Sequence, residues 1–281
     1  MADDSTQPIL VAIVADAHIN STVGLCPPVV TLDDGGSYHG SKVQRAIWAA
    51  WKEFWAEDVY ARAKVLGAKV YVIFNGDLND LNVHDGTQLI SHSESDIIKM
   101  SVDAIEPAID GADYVFIVRG TEAHVGKKAN LEEEVAKDIG AEPDKRAGTC
   151  SWYWLKLEAN GVSFDITHHP ETFARRPWTK DAAAVRHGRI VREQYLDRDE
   201  KPPDVAIRAH IHEFIPGNHR LPPFFCYCPG WQVMTSFFYR LGSTEVKPVG
   251  GLVFVCQDGE FAFEPVIRPP MGSRRKPWRE S

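Results

Sequence analysis

The chain has 281 residues, 44% of them hydrophobic, enough to bury one sizeable core, and a single α/β domain over residues 1–267 with a basic tail from Arg268 to Ser281 is the simplest arrangement. A formal net charge of −8 argues against a protein that coats nucleic acid indiscriminately, because that affinity comes from Lys and Arg neutralising phosphates. Five cysteines, of which only Cys226 and Cys228 lie close together, form neither a disulfide framework nor a structural zinc pattern and are expected as buried thiols.

Met1 to Pro8 is polar and acidic, and the apolar run Ile9 to Val14 that follows is far too short to span a bilayer, so a soluble, cytoplasmic protein without a membrane partner is expected. That run is rich in β-branched residues and reads as a strand buried on both faces. Residues 20–40 hold several Gly and Pro and read as an irregular loop. Ser41 with Gln44 forms a capping box, after which Ile47, Trp51, Trp55 and Val59 recur at helical spacing, so a helix is expected from about Lys42 to Val65, ended near Gly67. The Trp48, Trp51, Trp55 stripe reads as core packing.

Lys69 to Phe74 is a second buried strand, Ser93 to Ala108 a helix, and Asp113 to Val118 a third strand. Asn130 with Glu133 opens a short helix that Gly140 stops. The pattern then changes: Trp152 to Glu158 and Val162 to Thr167 flank Asn160-Gly161, a strong hairpin signal. The charged segment Arg175 to Tyr195 is expected to be helical in its second half, Asp204 to Ala209 is a strand, and three more strands are expected around Gln232–Tyr239, Gly251–Cys256 and Glu260–Ile267. Helix–strand alternation followed by hairpins predicts two mixed sheets packed face to face with helices outside.

Five clusters of Asp, His and Glu each follow an apolar run: Asp16 and His18; Asp77; Glu122 and His124; His168 and His169; His210 and His212. Strands ending in such residues would deliver oxygen and imidazole ligands to one edge of the fold. Asp16 and His18 are two apart, as are His210 and His212, so on an extended segment each pair points one way and can chelate one ion. Asp77, after Gly76, can bridge two cations through both oxygens. Carboxylate and imidazole without thiolate favours Mn, Fe, Zn, Ni or Co, with Mn the first choice. Two such ions roughly 3.5–4 Å apart clamp both oxygens of an in-line displacement and generate hydroxide near neutrality, chemistry suited to phosphate esters.

In order, Asp16-x-His18, Gly76-Asp77-x-x-Asp80, the Gly-led segment after the third strand, His168-His169-Pro170 and His210-x-His212 resemble the five motifs of calcineurin-like metallophosphoesterases. The resemblance covers residues 9–213 and extends to the bacteriophage-encoded members of the family. It implies a four-layer α/β/β/α sandwich, a first metal held by Asp16, His18, Asp77 and His212, and a second held by Asp77, His168 and His210, with hydroxide between the metals as nucleophile. The chain departs from the family at the third motif, where Gly-Asn-His is replaced by Gly120-Thr121-Glu122-Ala123-His124. The expectation is that Glu122 replaces the missing Asn ligand, that His124 protonates the leaving alkoxide, and that Asp80 orients His124.

His168 is favoured over His169 because strand alternation gives them different faces and the family's ligand tends to come first. Asn75 and Asp80 also suit the turn after the strand. Arg175 and Arg176 open a positive stretch that is either a solvated surface or a guide for substrate phosphate, and His84 is better placed than His92 or His187 to touch substrate because it follows the Asp77 loop. The leading expectation is a dinuclear metal-dependent phosphoesterase acting on a phosphodiester, including a nucleotide or nucleic acid. The rivals are a phosphomonoesterase or protein phosphatase, a mononuclear hydrolase, and a binding module that kept the fold after losing Gly-Asn-His.

Overall fold

A computed structural model describes residues 7–81, 88–171, 179–217, 220–236 and 247–269. Two five-stranded sheets organise them. The first is built from β1 (Ile9–Val14), β4 (Lys69–Asn75), β5 (Tyr114–Val118), β11 (Val249–Gln257) and β12 (Glu260–Arg268), in the order β12-β11-β1-β4-β5. The second has the order β6-β7-β8-β10-β9 and comprises β6 (Leu155–Ala159), β7 (Val162–Ile166), β8 (Val205–Arg208), β9 (Ile215–Gly217) and β10 (Phe224–Tyr227). A small antiparallel pair, β2 (Val29–Thr31) with β3 (Ser37–His39), interrupts the loop expected over residues 20–40.

The period of two in β1 shows how the layers form. Ile9, Val11 and Ile13 point into a core shared with Leu155, Phe164, Ile166, Val205 and Ile207 of the second sheet. Leu10, Ala12 and Val14 point the other way, onto the helices α1 (Lys42–Glu53) and α3 (Glu94–Ile109) and the π-wound turns Phe54–Ala61 that continue α1. The second sheet repeats this logic: Ala206, Phe225 and Tyr227 face α6 (Lys180–Leu196) through Ala184, Val191 and Tyr195. The result is the α/β/β/α layering expected from the alternation of helices and strands. Cys26, Cys226, Cys228 and Cys256 are buried free thiols, whereas Cys150 is half-buried. Among the described residues no helix is long and apolar enough to cross a membrane.

Ser41 caps α1 with Gln44 in the predicted reciprocal arrangement. The expected helix to Val65 is present, completed by α2 (Arg62–Leu66), but Phe54–Ala61 is π-wound. The wider winding lets Phe54, Trp55 and Val59 all reach the core beside Trp51, whose ring meets Trp231 edge-on at 4.8 Å. Asn160 and Gly161, at φ 46° and 81°, make the tight hairpin turn between β6 and β7. The strand expected around Gln232–Tyr239 is corrected: Gln232–Thr235 form no strand, and residues 237–239 lie outside the described residues. The nearby backbone donors are used elsewhere, Trp231 N bonding Asp16 O at 3.0 Å and Val233 N bonding Val23 O at 3.1 Å. Arg268 ends β12 and is ion-paired with Glu53 and Asp58, while residues 270–281 of the basic tail lie outside the described residues.

Candidate metal centre

Parallel pairing of β1 with β4, of β4 with β5 and of β7 with β8 sends their C-terminal ends the same way within each sheet. Loops leaving such ends are where open α/β sheets place ligands. After β1 come Asp16 and His18, after β4 Asp77, after β5 Gly120 to His124, after β7 His168, and after β8 His210 and His212. Contrary to expectation, the two pairs spaced two apart do not lie on extended segments, and His210 and His212 fall into different ligand groups. Asp16, His18, Asp77, His210 and His212 all have left-handed backbone, at φ 51°, 44°, 51°, 72° and 54°. Each such conformation costs a non-glycine residue about 1 kcal/mol or more, so it persists only where surrounding structure imposes it, and such positions gather at functional sites.

The side chains converge in groups whose ligand atoms lie within 4.8 Å of one another: Asp16, His18 and His212; Asp16, Asp77 and His168; His168, His169 and His210; and His18, Asp80 and His124. In the first, His18 Nε2 is 3.2 Å from His212 Nε2, which is 3.4 Å from Asp16 Oδ1. In the second, His168 Nε2 is 3.1 Å from Asp77 Oδ2. Two ligand atoms each about 2.1 Å from one ion lie about 3.0–3.4 Å apart, the edge of an octahedron or tetrahedron, so these separations match a coordination shell. Asp16 Oδ1 and His18 Nδ1 are buried and have no hydrogen-bond partner, and the buried His168 Nε2 faces the Asp77 carboxylate. Desolvated polar atoms without partners are costly, and a divalent cation would satisfy Asp16 Oδ1. His168 Nδ1 donates to Asn75 O at 2.7 Å, which fixes the ring and leaves Nε2 as the ligand atom. The residues present fit divalent cations.

Asp16 is the carboxylate common to the first two of these groups. Asp77 stands with His168, and with His210 Nδ1 at 3.9 Å, while its Oδ1 accepts from Thr121 N at 2.5 Å. Asp16 thus stands beside Asp77, the residue to which the sequence reading alone gave a bridging role.

Electrostatics in the metal-free protein follow from crowding. Burial raises the Asp16 carboxyl to about 7 against the pull of His168, whereas at Asp77 the neighbouring His168 and His210 outweigh burial and hold the carboxyl well below its usual range. His168 rises to about 10 because Asp77 and Asp16 overcome burial, while burial and neighbouring cations lower His18 well below the usual range, His212 to about 3 and His169 to about 4. At pH 7 the His168 imidazole thus carries a proton that a cation must displace. Cation loading at pH 7 is expected to release at least about one proton per molecule, and affinity should rise with pH towards the His168 value. Calorimetric titration with Mn in two buffers of different ionisation enthalpy measures it; buffer-independent heats would refute it.

No family model matches the chain. A leucine–tRNA ligase from Nanoarchaeum equitans is 25% identical over an alignment of 147 residues that covers 47% of this chain and 14% of that protein. Among solved structures, a Vps29 single mutant from Entamoeba histolytica covers 92% of this chain and 99% of its own, at 11% identity and a TM-score of 0.39. A hypothetical protein from Pyrococcus horikoshii covers 92% of this chain and 88% of its own, at 10% identity and a TM-score of 0.44. The ground for a functional reading is therefore the site itself.

Glu122 is not brought into the cluster, contrary to expectation. It opens the short helix α4 (Glu122–Val125), is exposed, and accepts from Lys128 N at 3.4 Å. Thr121 holds the inner position instead. Its hydroxyl donates to Asp77 Oδ2 at 3.1 Å and stands 3.1 Å from His169 Nε2 and 3.3 Å from His210 Nδ1. His124 and Asp80 are joined as expected, Nδ1 to Oδ1 at 3.0 Å, and the His124 ring meets His18 edge-on at 4.5 Å. His84, Arg175 and Arg176 lie outside the described residues. Of the two histidines spared a role, His187 is buried against Phe225 and within 3.3 Å of the Tyr227 hydroxyl.

Residues that the sequence did not single out complete the site. Glu132, fully buried on α5 (Asn130–Asp138), accepts from Gly120 N at 2.7 Å and Leu78 N at 3.1 Å, so one carboxylate ties together the loops after β4 and β5. Burial raises its carboxyl to about 7. Asn20 clamps the Asp80 and Ser91 carbonyls at 2.8 and 2.9 Å. Gly76, at φ 80°, leaves the space that His168 fills: a Cβ there would lie 2.3 Å from His168 Nδ1. Gly76→Ala combines that overlap with a left-handed backbone, and it should displace His168 and destabilise the fold by roughly 2 kcal/mol or more. Thermal unfolding and metal content check it; a normal melting temperature with full loading would refute it.

Proposed function

We propose that the protein is a dinuclear metal-dependent phosphoesterase, with phosphodiesters as its preferred substrates. The observation that carries this reading is the buried Asp16 Oδ1, which has no hydrogen-bond partner and is shared by two groups of carboxylate and imidazole, beside the His124–Asp80 pair. Asp16, His18 and His212 would hold one cation, and Asp77, His168 and His210 the other, with Asp16 and Asp77 between them. Bound there, divalent cations supply Lewis-acid charge to a phosphoryl oxygen and lower the pKa of water. The donor set contains no thiolate, so Mn, Fe, Zn, Ni or Co suit it, Mn first.

The chain's own residues do the rest. Thr121 anchors Asp77 through both backbone and hydroxyl, fixing which carboxylate oxygen faces His168. His124, steered by Asp80, holds a proton at Nε2 for the departing alkoxide. The neighbouring Asp80 raises the His124 pKa in spite of burial, which favours the protonated form that a general acid needs.

The test is metal analysis of the protein together with hydrolysis of a phosphodiester, a phosphomonoester and linear single- and double-stranded DNA in added Mn. Two cations per chain with turnover of the diester supports the reading. Activity confined to the monoester would reject the diester preference, one cation per chain would favour a mononuclear hydrolase, and no turnover with any ester would favour a binding module.

A further inference from the structure

Beside the metal centre the chain crosses from one sheet to the other, and it exposes two aromatic rings as it does so. Trp152 extends the first sheet, its N bonding Ile117 O and its O accepting from Arg119 N, both at 2.8 Å. Leu155 opens β6 opposite Ile166 of β7. Tyr153 and Trp154 therefore span the gap between the two strand ends that lead into Thr121 and into His168. Thr121 lies two positions after Arg119, a span of roughly 7 Å between their Cα atoms.

Tyr153 is 65% exposed and Trp154 40%, whereas the preceding Trp152 is half-buried and Trp231 is buried in the core. Neither ring is loose. The Arg119 guanidinium lies 4.2 Å from the Tyr153 ring centre and is itself buried, tied to Ser151 Oγ at 2.9 Å and to Glu133. Trp154 Nε1 donates to Asp165 Oδ2 at 2.9 Å, and Lys156 Nζ lies 4.4 Å from the Trp154 ring centre. An exposed aromatic ring backed by a guanidinium, at strand ends that lead into the candidate metal centre, is an arrangement suited to stacking unpaired nucleobases, because every base offers a π face. Glu133 and Glu200, which pair with Arg119 and Lys156, limit the positive field, so stacking supplies the affinity more than phosphate attraction does.

We infer that Tyr153, backed by Arg119 and flanked by Trp154, is the stacking platform for an unpaired nucleobase adjoining the scissile phosphodiester. The inference rests on the phosphoesterase reading for its substrate and makes that substrate a nucleotide ester or a single strand, not a duplex.

The kinetic test uses the full-length, Mn-loaded protein and two esters with the same charge and leaving group, thymidine 5′-(4-nitrophenyl phosphate) and methyl 4-nitrophenyl phosphate. The wild type should favour the thymidine ester in kcat/KM, and Tyr153→Ala should lower that preference about tenfold, chiefly through KM, while Tyr153→Phe retains it. A preference in the wild type below about twofold, or an unchanged preference in Tyr153→Ala, overturns the inference.

A binding measurement keeps the inference separable from the phosphoesterase reading. Fluorescence anisotropy of labelled oligothymidylate on the metal-free protein should show binding that an abasic oligomer of equal length lacks and that Tyr153→Ala weakens by the same factor. Competition by thymidine 5′-monophosphate at concentrations comparable to the oligomer would assign the site to free nucleotides, and its failure to compete would assign it to chains. Equal binding of the abasic oligomer would overturn the platform even in an active enzyme. Base-dependent binding without hydrolysis of either ester would uphold the platform and refute the phosphoesterase reading.

Discussion

Asp16→Asn is expected to lower phosphodiester turnover roughly a hundred- to a thousandfold, since Lewis-acid stabilisation is worth several kcal/mol and each 1.36 kcal/mol is tenfold in rate. The substitution is chosen to spare the fold. An Asn oxygen can still accept from His210 N, which bonds Asp16 Oδ2 at 3.2 Å, and Asn tolerates the left-handed backbone at φ 51°. What disappears is the anionic oxygen at the junction of both ligand groups, 3.4 Å from His212 Nε2 and 4.0 Å from His18 and His168. Wild-type protein saturated with Mn at a thousandfold excess over Kd gains about 4 kcal/mol, on the order of 8 °C in melting temperature, and Asp16→Asn should lose most of that gain. Melting curves with and without Mn, with metal analysis, decide. An Asp16→Asn protein that retains its cations and its turnover would remove Asp16 from the centre.

Strands were legible in the sequence wherever β-branched residues ran unbroken. Ile9–Val14, Lys69–Asn75 and Tyr114–Val118 lie within a residue of where the apolar runs placed them, because strands buried on both faces leave no polar interruption. Phe224–Tyr227 carries no strand signal of its own, since Pro222 and Pro223 before it and Pro229 after it mask its pairing with Val205–Arg208. At the site, residues immediately following strands were legible, and those set by loop geometry were not. Thr121 rather than Glu122 reaches Asp77 because α4 begins at Glu122 and its exposed carboxylate turns to Lys128 N. Gly120 could have given the signal: a Cβ there would lie 2.2 Å from Asp77 N, so the two loops touch at that glycine, and the next residue is the one placed to bond the Asp77 carboxylate. Glu132 was hidden by its setting on a charged helix, where a buried carboxylate looks like its exposed neighbours.

Left-handed backbone at Asp16, His18, Asp77, His210 and His212 links the fold to the chemistry. Turning the chain sharply after each strand brings pairs two residues apart onto one centre, which an extended segment would carry past it. The cost is several kcal/mol of local strain, together with desolvated groups that repel one another in the metal-free protein. Cation binding at these groups would offset both, and would couple the site to the stability of the fold.

His124→Ala is expected to lower turnover roughly 100- to 10,000-fold on esters with poor, alkyl leaving groups, the range of a single general acid, and to change little on 4-nitrophenyl esters, whose phenolate departs without a proton. His124 is placed for this by Asp80 on one side and the His18 ring on the other. The wild-type dependence of kcat/KM on leaving-group pKa should be shallow and that of His124→Ala steep. The sign of the pH effect is fixed by the same pair. An acid must be protonated, so turnover of alkyl esters falls as pH rises through the His124 value; Asp80, which raises that value, delays the fall, and Asp80→Asn should move the alkaline limb to lower pH. Losing His124 should erase the limb altogether. Equal losses across all leaving groups, with the limb intact, would show that His124 only supports His18 and that the proton comes from elsewhere.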